Sequence, residues 1–107
     1  MNFSELKIEK NILKALREAG YEEPTAIQQK AIPPLLNGSD LMGCAQTGTG
    51  KTCAFSVPII QHIDRNPGKS GAVRALILTP TRELALQIFE NVWQYARYTS
   101  GTAAVIF

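Results

Sequence analysis

Apolar residues along the chain fall first into helical spacing. Over residues 8–19, Ile12, Leu13, Leu16 and Ala19 share one face, and Gly20 follows as a left-handed cap, so the pattern predicts a helix that ends there. Pro24 then fixes the chain for helix entry, and Ala26, Ile27, Ala31 and Ile32 continue an apolar stripe as far as Pro33 and Pro34, where a second short helix is expected to stop. Asn37 and Gly38 make a turn. Residues 41–45 read as a short apolar strand leading into a glycine-rich stretch, and a helix should begin near Gly50 and run towards Asp64.

Residues 65–71 (R-N-P-G-K-S-G) have the composition of a surface loop, and the continuous apolar run 73–79 reads as a buried strand. From Arg82 to about Tyr98, Leu84, Ile88, Val92 and Tyr95 recur at helical spacing, widened by Ala85 and Phe89. A turn at 99–102 and a third strand at 103–107 complete the pattern. Strand, helix, strand, helix, strand implies an α/β fold, a parallel sheet with flanking helices, preceded by a helical element.

Composition agrees with a globular chain: 45% of the 107 residues are hydrophobic and 19% charged. A net charge of +2 is too small to argue for nucleic acid by itself, so any such argument must rest on motifs. The apolar runs are short and broken, which excludes a membrane span, and Glu5, Glu9 and the nearby lysines stand where a signal peptide has its apolar core. Cys44 and Cys53 flank the glycine-rich stretch, where a disulfide would clamp it, and are read as reduced thiols of a cytoplasmic protein.

The chemistry lies at residues 45–52, A-Q-T-G-T-G-K-T. A loop between a strand and a helix can turn several backbone N–H groups onto an anion, and Gly48 and Gly50 permit the tight path. Lys51 would reach the terminal phosphates, and the Thr52 hydroxyl would ligate Mg²⁺. Ala45 replaces the first glycine of the general pattern G-x-x-x-x-G-K-[ST] and is small enough for the turn. Gly68, Lys69 and Ser70 match the end of that pattern, but no strand precedes them, and they read as a decoy. His62 stands alone and reads as a surface residue, while Trp93, Tyr95 and Tyr98 read as packing residues of an amphipathic helix.

Three segments in order resemble the DEAD-box ATP-dependent RNA helicases. Residues 20–28 (G-Y-E-E-P-T-A-I-Q), with Phe3 seventeen positions upstream of Gly20, resemble the Q motif; 45–52 resemble motif I with its leading alanine; 80–87 (P-T-R-E-L-A-L-Q) resemble motif Ia. The resemblance implies the N-terminal part of a RecA-like P-loop domain: a helical Q-motif element at 1–38 and a partial core at 39–107. It implies ATP bound by Phe3, Tyr21, Thr25, Gln28, Ala45, Gln46, Thr47, Gly48, Thr49, Gly50, Lys51 and Thr52, the last two catalytic. Gln28 would read adenine, since one amide matches the N6 donor and N7 acceptor of the base. Tyr21 would pack on the base, and Thr25 would help hold the loop.

The same resemblance puts Pro80, Thr81 and Arg82 on an RNA backbone without sequence preference, although Thr81 also reads simply as a helix N-cap. It places the parent protein in the cytoplasm, or in the nucleus of a eukaryote. The sequence contains no D-E-A-D and no S-A-T, so it reads as an incomplete domain, inactive alone, whose unpaired strand edges invite self-association. The alternatives are a non-catalytic adenine-nucleotide-binding module and a fragment of a related DNA helicase or translocase.

Overall fold

The computed structural model describes residues 2–46, 48, 50–68, 71–101, 103–104 and 106. Their regular structure is a 3₁₀ turn at Phe3–Leu6 and four helices, α1 Lys10–Glu18, α2 Ala26–Leu36, α3 Lys51–Arg65 and α4 Arg82–Tyr95. Helix α3 is central: α2 packs on it most extensively, α4 packs beside it, and α1 packs on α4. Ile12 and Leu16 of α1, Ile32 of α2, Val57 of α3 and Tyr95 of α4 meet in one apolar cluster.

Helix α1 forms where the spacing predicts, because Ile12, Ala15 and Leu16 lie one turn apart and all three are buried. Its end is closed at Gly20, φ 92°: Gly20 N–H donates to Arg17 O at 3.1 Å and Tyr21 N–H to Leu16 O at 3.0 Å. These paired bonds satisfy the last carbonyls and set the direction in which Tyr21 leaves. The start of α1 is held from outside. Gln61 of α3, 1% exposed, accepts from Glu9 N–H at 2.8 Å and donates to Lys7 O at 3.1 Å, so one buried amide pins the bend that feeds the helix.

Helix α2 departs from expectation. It runs through Pro33 and Pro34 to Leu36 and closes at Gly38, φ 84°, where Ser39 N–H reaches Pro34 O at 3.0 Å. The two prolines remove the donors for the carbonyls of Gln29 and Lys30, but those residues are exposed and water can serve them. Packing of the buried Ala31 and Ile32 outweighs the two lost bonds. Helix α3 begins within a residue of the predicted position, whereas α4 stops at Tyr95 and leaves Tyr98 on the following turn.

The strand predictions are corrected. Among the described residues, 41–46, 71–79 and 103–106 form no ladder. Instead of being buried, Val73 is 86%, Leu76 77% and Leu78 84% exposed, and Met42 is 93% exposed. An apolar run specifies only that a strand would be buried; its N–H and C=O groups require neighbouring strands, and none is present among the described residues to receive them. Lys69 and Ser70 of the decoy, and Thr102, Val105 and Phe107, lie outside the described residues. No helix among the described residues is long and apolar enough to cross a membrane.

Candidate functional site

The glycine-rich loop enters α3 through two left-handed residues, Gly48 at φ 86° and Gly50 at φ 87°. Gly50 is the N-cap and supplies no side chain; its carbonyl takes the first helical bond, from Ala54 N–H at 3.1 Å. The N–H groups at the start of this 15-residue helix therefore have no partner within it and carry its positive dipole end. Lys51 is exposed at that end, Thr52 and Ala45 are half-buried, and Gln46 is exposed. Thr47 and Thr49 lie outside the described residues.

The structure brings the second predicted segment directly under this loop. Thr25 and Gln28 form a reciprocal cap on α2: Thr25 N–H donates to Gln28 Oε1 at 2.9 Å, and Gln28 N–H to Thr25 Oγ1 at 3.4 Å. The remaining end of the Gln28 amide donates to Gly50 O at 3.2 Å. Gln28 is fully buried. A Cβ on Gly50 would overlap the Gln28 amide nitrogen and stand 3.3 Å from Thr25 Oγ1, so the loop fits here only as glycine. Two of the amide's four hydrogen-bonding positions are engaged on backbone, leaving one N–H and one lone pair.

Phe3 and Tyr21 also meet. Phe3 is buried and stands edge-on to Tyr21, with ring centroids 6.0 Å apart at 88°. Tyr21 continues the series to Tyr95 at 5.7 Å and 73°, with the two hydroxyls 2.6 Å apart. A cavity of about 220 Å³ opens beside Phe3 and Tyr21, with Arg17 and Glu22 on its rim. The larger cavity, about 450 Å³, lies between the C-terminal end of α2, the outer face of α3 and residues 74–75. It includes none of the predicted ligand residues.

Burial shapes the ionisable groups around these residues. Desolvation pushes the Cys53 thiol up to about 12, so it stays a neutral apolar group just after the loop. Burial, then the hydrogen bond shared with Tyr21, raises Tyr95 as well and keeps its proton in place. Both cysteines are free thiols, Cys44 exposed and Cys53 buried. His62 is exposed, as expected, and its carbonyl accepts from Asn66 Nδ2 at 2.9 Å.

The third predicted segment, 80–87, lies at the start of α4. Thr81 is the N-cap, its Oγ1 accepting from Leu84 N–H at 3.2 Å, and Pro80, Thr81 and Arg82 are all exposed. The structure thus joins the Q-like segment to the phosphate loop but places these three on a separate helix end. Sequence reading missed two contributors. Gln61 carries no signal, being one polar residue between Ile60 and His62; helical spacing marked Tyr95 for burial but not its hydroxyl contact.

Comparisons agree on one family. The family model for DEAD/DEAH box helicases matches residues 25–107. The ATP-dependent RNA helicase SrmB of Escherichia coli is 50% identical over 105 residues, 97% of this chain and 24% of that protein. The ATP-dependent RNA helicase CshA of Limosilactobacillus reuteri is 48% identical over 108 residues, 100% of this chain and 21% of that one. Among solved structures, the RNA helicase Prp28 from Chaetomium thermophilum bound to ADP superposes with a TM-score of 0.91 at 40% identity, covering 99% of this chain and 26% of that one. A DEAD box protein from Methanococcus jannaschii gives 0.82 at 42% identity, over 95% and 27%. The chain spans about a quarter of the length of these relatives. With its segments in that α/β, RecA-like arrangement and its sequence matched over most of its length, the chain belongs to the DEAD/DEAH box helicase family.

Proposed function

We propose that residues 1–107 are the adenine-nucleotide-binding N-terminal portion of an ATP-dependent RNA helicase, with residues 1–38 as the Q-motif helical element and 39–107 as the partial P-loop core. The observation that carries this is the bond from Gln28 to Gly50 O, which ties a base-side segment to a phosphate-side loop across 22 residues of sequence. Residues 45–52 and the first N–H groups of α3 cradle the phosphates of ATP or ADP, and Lys51 adds a point charge to the terminal ones. The Thr52 hydroxyl is an oxygen donor suited to Mg²⁺, which when bound would neutralise phosphate charge. Tyr21, half-buried, offers aromatic surface to adenine with Phe3 buried beside it, and the buried Gln28 amide keeps one donor and one acceptor that backbone does not take up. Pro80, Thr81 and Arg82, at an exposed helix start, suit an RNA phosphate without regard to sequence.

Hydrolysis and duplex opening belong to the whole protein, because these residues include no D-E-A-D to hold the metal and orient water. This reading sets the protein in the cytoplasm, or in a eukaryotic nucleus, in keeping with two unbridged thiols. It also includes self-association through the exposed 73–79 run, which a concentration-dependent sedimentation coefficient would reveal.

The test is a comparison of ATP with inorganic tripolyphosphate. Lys51→Ala should weaken both alike, by about tenfold or more, as expected for a lost charge-assisted bond. Thermal stability should stay within about 0.5 kcal/mol, because Lys51 is exposed. Equal affinity for GTP and ATP would sink the adenine assignment. Gln28→Ala alone is a poor probe, since it also removes the support of Gly50.

A further inference from the structure

Tyr95 closes α4 and is 1% exposed, the largest fully buried side chain among the described residues. A buried phenol needs a partner, and it has one in the hydroxyl of Tyr21 at 2.6 Å. Tyr21 itself is half-buried and sits outside any helix, on the residue after the Gly20 closure. Its backbone is directed by that closure, but its ring could turn about two side-chain torsions. The rings of Phe3 and Tyr95 flank it edge-on, and the hydroxyl pair is the directional contact among them.

The end of α4 grips α1 a second time. Tyr98 donates its hydroxyl to Glu18, 2.5 and 2.7 Å from the two carboxylate oxygens, and Arg97 pairs with the same carboxylate at 3.1 Å. Lys14 Nζ stands 4.4 Å above the Tyr98 ring. The last turn of α4 and the residues after it therefore form the seat on which α1, Gly20 and Tyr21 rest.

Resting on the adenine reading given above, we propose that Tyr95 is a positioning residue for the nucleotide base. It touches no ligand; through the hydroxyl pair it holds the Tyr21 ring in the orientation in which that ring meets adenine. Since the phosphates are held by a different element, the loop at the start of α3, loss of this contact should be felt by the base and not by the phosphates.

The experiment is a double-mutant cycle on the chain, with dissociation constants measured for ATP and for inorganic tripolyphosphate. Tyr95→Phe keeps the ring and removes one hydroxyl. It should weaken ATP about threefold to tenfold, the range of a single neutral hydrogen bond, and leave tripolyphosphate within about twofold. Tyr21→Phe should do the same, and the double variant should be no worse than either single one, because all three remove one shared bond. Equal weakening of both ligands would mean a general structural role and overturn the proposal, as would additive losses. Tyr21→Ala separates the levels. If it lowers ATP affinity while Tyr95→Phe does not, positioning by Tyr95 is wrong and the base site stands. If Tyr21→Ala leaves the ratio of ATP to tripolyphosphate affinity unchanged, the contact between Tyr21 and the base is wrong, and the proposal falls with it.

Discussion

Gly48 and Gly50 share nearly the same left-handed backbone but not the same surroundings. A Cβ at Gly48 meets nothing within 4 Å, whereas one at Gly50 would overlap the Gln28 amide and crowd Thr25. Gly48→Ala should therefore cost only the local strain of the left-handed region, about 1 kcal/mol. Gly50→Ala should cost roughly 2–4 kcal/mol, because it also displaces a fully buried amide and breaks its bonds to Gly50 and Thr25. Urea unfolding of the two variants measures the difference, and equal losses would show that Gln28 does not brace the loop. Both glycines were legible in the sequence as the residues that let the loop turn tightly into α3. What separates them was not, since the neighbour of Gly50 comes from 22 residues away.

Elements divide by whether their hydrogen bonds are local. The helices satisfy theirs within a few residues, so α1, α3 and the start of α4 could be placed from spacing and capping signals. Thr81 is the clearest of these signals. Thr81→Ala should lower stability by about 1 kcal/mol, as loss of an N-cap does, while Thr81→Ser should restore it. A thermal melt of the three proteins decides this, and no loss on Thr81→Ala would mean the cap contributes nothing. The end of α2 was misjudged because the prolines were weighed locally, whereas the packing of Leu36, beyond them, against the core cluster favours continuing the helix. The strand segments stay unpaired for the complementary reason: their bonds lie with partner strands, and the incomplete domain read from the absence of D-E-A-D and S-A-T does not supply them.

The assembled molecule gives its buried acids a pH response that no single element has. The Cys53 thiol is raised from 9.0 to about 12 by burial, so between those values the unfolded chain releases a proton that the folded chain keeps. Its contribution to stability is complete below pH 9 and is lost as pH rises towards 12. Tyr95, raised from 10.0 by burial and by Tyr21, acts with the same sign beginning about one unit higher. The urea midpoint should thus fall above pH 9. In Cys53→Ala the curve should start lower at neutral pH, from the small cavity, but be flatter between pH 9 and 10. Identical slopes in the two proteins would assign the fall elsewhere.

By itself the sequence determined where the helices begin, the glycine path of the loop before α3 and the order of the three segments, because backbone geometry, capping and spacing act over a few residues. Only the tertiary structure decided that the Gln28 amide supports Gly50, that Gln61 pins the start of α1, and that Tyr95 holds Tyr21. Each of those is a side chain whose polar group is satisfied more than 20 residues away, and a buried polar group chooses its partner by what packing brings near, which spacing along the chain does not encode.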